Sequence, residues 1–188
     1  MKRNGRLILF TLILVALATA CKYFFGPDLS WSGFSPVIAI ALFSGFIIKE
    51  RDLSFILPLL ALFLSDLAIQ FLHSQGLFPY EGFYSGQWIN YLTLLVATLV
   101  GLALKGRSYS SLMIGAIAAP TFFFMVSNFT VWTGPYNTYP KTFAGLMSCY
   151  EAGLPFYRNS LIATLVFLPV ILLAYNYLTK KKAVLTLA

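Results

Sequence analysis

Six apolar runs, separated by short polar or basic breaks, leave this 188-residue chain few ways to fold. A run of roughly 20 apolar residues crosses the hydrocarbon core of a bilayer as a helix. With 59% hydrophobic residues, 10% charged residues and a mean hydropathy of +0.81, the chain reads as an integral membrane protein. Its length has room for one compact bundle and no second soluble domain, so residues 1–188 form a single membrane domain. The expected fold class is all-α: six transmembrane helices over approximately 7–25, 31–48, 53–72, 88–104, 111–126 and 161–178. An outer aromatic loop with a short amphipathic surface helix lies within 128–159.

The basic residues orient this arrangement. Lys2, Arg3, Arg6, Lys49, Arg51, Lys105, Arg107, Lys180, Lys181 and Lys182 fall on one side of a six-span chain, whereas Lys22, Lys141 and Arg158 fall on the other. Cytoplasmic loops carry the excess of Lys and Arg, so both termini are expected in the cytoplasm. The same distribution explains the net charge of +7 as a topological signal rather than a nucleic-acid footprint.

The first run begins after a basic start and reaches Ala18-Thr19-Ala20-Cys21, a pattern shared with cleaved and lipidated leaders. The best lipidation sites have a larger aliphatic residue where Ala18 stands, and Tyr23-Phe24-Phe25 prolongs the run, which favours a retained helix. Ala16 and Ala20, four apart, would then offer a small-residue groove to a neighbouring helix. Gly26-Pro27-Asp28 breaks the run. A second helix beginning near Trp31 would cover about 27 Å, and Lys49-Glu50-Arg51-Asp52 turns it tightly into the third, where Pro58 predicts a kink.

Asp66 lies inside the third apolar run. A carboxylate there is costly enough that it normally faces the protein interior with a partner, and Arg158, Lys141 or an outer-loop asparagine is the partner expected. The bland alternative is a structural cap or ion pair near the membrane boundary, since His73 follows seven positions later.

Three outer segments, 26–35, 73–87 and 128–159, can converge on one pocket. The last is the most polar and aromatic. Trp132 and Tyr139 would supply stacking walls, Asn128 and Asn159 would read ligand edges, and Glu151 and Arg158 would select charge; Tyr136, Asn137, Tyr150 and Tyr157 add to the same mixture. Residues 140–157 read as a surface helix interrupted near Pro155. The alternative is an interfacial loop whose Trp and Tyr sit at headgroup level. Cys21, Cys149 and His73 lack the company of a metal site, so neither metal nor cofactor is expected. Ser65, Asp66 and His73 do not form a catalytic set: the first two point about a hundred degrees apart on a helix, and no enzyme is expected.

The motifs Asn128-Phe129 with Val131-Trp132, Tyr139-Pro140-Lys141-Thr142, Gly145-Leu146, Cys149-Tyr150 and Pro155-Phe156 with Asn159 carry a resemblance. With Ala39 to Phe43 and Ser65-Asp66-Leu67, they resemble a bacterial family of uncharacterised multi-pass proteins similar to the substrate-binding S components of energy-coupling factor (ECF) vitamin transporters. The resemblance implies a bundle in the bacterial plasma membrane that captures a micronutrient from outside. It also implies work with a separate transmembrane coupling subunit and ATPases. The chain has no phosphate-binding loop of its own. S components meet their coupling subunit through small residues of the first helix, and Ala16 and Ala20 match in type. A scaffold or assembly protein without a small ligand is the competing expectation.

Overall fold

The computed structural model describes residues 3–105, 108–134 and 138–179. Among these, the regular structure is entirely helical: α1 (Arg3–Phe25), α2 (Val37–Ile47), α3 (Arg51–Ser74), α4 (Trp88–Ala103), α5 (Tyr109–Thr133) and α6 (Phe143–Thr179). Within α1, α3, α5 and α6 lie four segments long and apolar enough to cross a membrane: Ile8–Phe25, Arg51–Ser74, Ser110–Thr133 and Phe143–Leu178. α2 and α4 are apolar but shorter, at 11 and 16 residues. Lys2, Arg107, Tyr136, Asn137 and Lys180 to Lys182 lie outside the described residues.

The lining of the bundle inverts the pattern of a soluble protein. On α3, the large apolar residues Leu53, Ile56, Leu60, Phe63, Leu67 and Phe71 recur every three or four positions on an exposed stripe. Small and polar residues, Ser54, Ala61, Ser65 and Asp66, face inward. That is the arrangement expected where helices associate through close packing and hydrogen bonds rather than by escaping water.

α2 is the central post, buried from Ile38 to Phe46 and packed against α3, α4, α5 and α6. Glycines set its approach to α4. A Cβ on Gly45 would meet the Thr98 carbonyl oxygen, and one on Gly101 would meet that of Leu42. α3 is held to α2 by a hydrogen bond that follows from Pro58. Proline has no N–H to give the Ser54 carbonyl four residues earlier, and the buried Ser44 hydroxyl of α2 donates to that oxygen at 2.7 Å.

The bundle has two distinct ends. At one, Phe10, Phe43 and Tyr175 cluster with ring centroids 5.3 to 5.5 Å apart, and the Lys105 ammonium donates to the Ile48 carbonyl at 2.5 Å, just past the C-terminus of α2. At the other, hereafter the loop end, the segments 26–36 and 75–87 pack over the start of α2.

The structure corrects three boundaries. The second helix starts at Val37, not Trp31, because residues 29–33 form turns and Gly33 takes φ +88°. The fifth continues through Asn128 and Trp132 to Thr133, where a loop was expected. The separate surface helix is absent: Phe143–Thr179 is one continuous helix that passes through Pro155 without a break.

Gly101→Val should lower stability by about 1 to 3 kcal/mol, the usual effect of forcing volume into a closed contact. Leu99→Val, on the exposed face of the same helix, should stay within about 0.5 kcal/mol. Thermal unfolding of the purified protein in detergent checks both.

Candidate functional site

A cavity of about 550 Å³ opens at the loop end, above the first turn of α2. Its floor is Ile38, Leu62, Ile69 and Leu94, and its walls are Phe25, Trp31, Phe34, Tyr80, Tyr84, Phe123 and Phe156. Its polar groups are few: Lys22, Asp66, Gln87, Asn90, Glu81 and several hydroxyls. Apolar walls with a small number of placed polar groups are the usual make-up of a small-molecule site.

Asp66 anchors the depth of this cavity. Only 2% exposed, it takes the Lys22 ammonium on Oδ1 and the Gln87 amide on Oδ2, where the Tyr91 hydroxyl also donates at 2.7 Å. The helices bring these groups together for simple reasons. Lys22 sits in the last turn of α1, which packs along α3; Gln87 immediately precedes α4; and Tyr91 lies one turn into it. The partner of Asp66 is thus Lys22, not Arg158, Lys141 or an outer-loop asparagine. Those residues were expected from a segment that the fold carries elsewhere.

The two linkers are tied down by side chains. The Gln70 amide oxygen accepts the N–H groups of Gly82 and Phe83 at 3.0 and 3.2 Å. Gly82 lies so close to α3 that a Cβ there would meet the Asp66 carbonyl oxygen. His73 Nδ1 is 3.0 Å from the Phe78 carbonyl oxygen, and because a carbonyl only accepts, that nitrogen carries the proton. In the other linker Asn159 donates to the carbonyls of Ser30 and Ser32 at 2.8 and 3.0 Å. The Asp28 carboxylate accepts from the Ser30 hydroxyl and N–H at 2.7 and 2.8 Å, which hold it below the usual carboxylate range.

Of the seven residues expected to bind substrate, the fold puts Asp66 in the cavity wall and the other six outside the lining. Asn159 is buried and positions the turn that carries Trp31. Asn128 and Trp132 lie in an α5–α6 hairpin that continues past the cavity. From Phe156 back to Phe143, α6 runs about 20 Å at the helical rise. The hairpin's polar groups answer one another. Asn128 Nδ2 donates to the Phe124 carbonyl, the Cys149 thiol to the Asn128 carbonyl, the Tyr150 hydroxyl to that of Met125, and Trp132 Nε1 to that of Pro140. The Lys141 ammonium reaches the Trp132 and Gly134 carbonyls and lies 5.9 Å from the Trp132 ring centroid. Tyr139 is half-buried beside this turn, Glu151 is exposed, and Arg158 is exposed next to Leu154, Pro155 and Leu161. On α1, Ala16 is exposed and Ala20 half-buried.

Among the lining residues that the sequence reading did not assign to the site are Lys22, Trp31, Tyr80, Tyr84, Gln87 and Asn90. One signal pointed to Lys22. Lys22 and Asp66 are charges of opposite sign inside apolar runs, and each needs an answer within the protein.

The chain belongs to a family of unknown function (DUF6580), whose model matches residues 1–185. No curated protein and no solved structure matches it.

Asp66→Leu should destabilise the protein by about 3 kcal/mol or more, because it leaves the Lys22 ammonium unanswered. The double variant Lys22→Met/Asp66→Leu should recover much of that loss. A double-mutant cycle read by thermal unfolding would show no coupling if the two side chains do not meet.

Proposed function

We propose that this member of the DUF6580 family is a substrate-binding membrane component of a small-molecule transporter of the ECF type, taking its ligand into the loop-end cavity. The observation that carries the reading is the cavity itself. It has the volume and apolar walls of a ligand site, and at its depth is an ion pair joined by further hydrogen-bonding groups. Apolar helices with large side chains turned outward support placement in a membrane. An interior charge pair is what such proteins keep for solute pathways.

In this reading all six helices cross, with α2 and α4 as short central elements shielded by the longer four, and both termini are cytoplasmic in a bacterial plasma membrane. The ten-to-three partition of Lys and Arg supports that orientation. The loop end then faces outward, where a scavenged solute arrives. Movement across the membrane falls to a separate transmembrane coupling subunit and its ATPases. The exposed Ala16 on α1, beside exposed Ile8, Leu12 and Ile13, is the face offered to that subunit.

Gentle purification followed by mass spectrometry of bound small molecules and co-purifying proteins tests the proposal. Recovery of partner proteins with no small molecule would favour a scaffold. With a ligand in hand, Trp31→Ala should weaken calorimetric binding by about tenfold or more, the scale of one lost stacking surface. Trp132→Ala should leave affinity unchanged. The reverse ranking would move the site to the α5–α6 hairpin.

Orientation is checked separately by a reporter fused after Ala188. The expected signal is cytoplasmic, and an external one would overturn the six-span arrangement.

A further inference from the structure

The charges at the cavity do not cancel. The Lys22 ammonium is matched by the Asp66 carboxylate, whose Oδ2 is also occupied by Gln87 and Tyr91. Glu81, the remaining acid of the lining, makes no hydrogen bond or ion pair among the described residues. The segments 26–36 and 75–87 that cover the cavity carry Asp28 and Glu81 and no Lys or Arg. The start of α2 adds some positive potential from its backbone, but one partial charge at a helix end does not balance a full carboxylate.

The aromatic walls have the complementary property. Trp31, Tyr80 and Tyr84 line the cavity and remain 47%, 40% and 55% exposed, so parts of these rings are open to a solute. Ring faces are electron-rich and attract organic cations within about 6 Å of the ring centre. A cavity that presents three such rings and one unmatched carboxylate favours positive charge on its guest.

We infer that the site selects a compact organic cation with a flat or branched apolar part, such as an amidinium, an azolium or a substituted ammonium, over neutral and anionic molecules of the same shape. The inference rests on the proposed ligand-binding reading and adds the ligand's charge to it. Glu81 sets the preference from the cavity mouth. Lys22 and Asp66 remain paired beneath the guest and offset each other's charge.

Benzamidinium, benzamide and benzoate form a series of nearly constant shape and stepped charge. The full-length protein in phosphatidylcholine nanodiscs, titrated calorimetrically at low ionic strength, should bind benzamidinium at least tenfold more tightly than benzamide, with benzoate weakest. Glu81→Gln replaces an exposed side chain and should fold normally, as thermal unfolding would verify. It should bring benzamidinium and benzamide within about threefold of each other. Benzoate binding as tightly as benzamidinium, or a charge preference untouched by Glu81→Gln, would overturn the inference and leave the ligand-binding reading intact. Failure of all three probes to bind would remove the cavity as a ring-holding site and take both with it.

Discussion

The contact between Lys22 and Asp66 fixes the loop end, because two opposite charges inside an apolar bundle are tolerable only together. The attraction that holds them is strong where water is scarce, and removing either partner exposes the other to the full desolvation penalty. Asp66 also answers Gln87 and Tyr91, so a single carboxylate joins α1, α3, the second linker and α4. The cavity is what remains above that junction once the linkers close over it. The ion pair and the amide and phenol at its depth follow from where one acid sits on α3, while Asn159 holds the turn that carries Trp31.

Much of the architecture was legible in the sequence. The apolar runs located the six helices, since length and hydropathy are properties of each segment alone. Boundaries failed where side chains altered the backbone's needs. Asn128-Phe129-Thr130-Val131-Trp132-Thr133 is polar enough to read as a loop, yet the Asn128 amide and the Thr130 and Thr133 hydroxyls all bond to carbonyls three or four residues back in α5. Satisfied on their own helix, they let it continue to Gly134. Which cation answers Asp66 was illegible for another reason. The Lys22–Asp66 pair spans 44 positions, and no periodic pattern reports a contact between helices at that separation.

Polar composition also proved a poor guide to which segment holds the cavity. The stretch 128–159 holds the richest mixture of aromatic and hydrogen-bonding side chains, and Asn128, Trp132, Lys141, Tyr150 and Asn159 in it are engaged with neighbouring backbone. Asn159 bridges two carbonyls of the first linker, Trp132 Nε1 is bonded to Pro140, and Lys141 covers the end of α5. A buried donor already engaged gives little to a ligand, because rebinding it exchanges one hydrogen bond for another. The linker 75–87 is poorer in composition, but it leaves Glu81 unmatched and Tyr84 partly open. Glu151 and Arg158 are exposed as Glu81 is, but they lie outside the cavity lining; position, which only the fold reveals, separates the two segments.

The shortness of α2 gives the cavity a structural cause. At 11 residues it rises about 16 Å, roughly half the thickness of a hydrocarbon core, while α3, α5 and α6 packed against it are long enough to cross. Under the proposed six-span arrangement, the remaining half of its column is filled by the turns at 29–33 and by open space. Irregular backbone at that depth survives only where protein surrounds it or water reaches it. Asn159 supplies the first condition by holding the carbonyls of Ser30 and Ser32, and the cavity supplies the second. A helix that began at Trp31 would have filled the column with packed side chains and left no room for a solute. The left-handed Gly33 and the Ser35-Pro36 pair that end the turns and start α2 late therefore create the cavity, and the ion pair beneath furnishes it with charge.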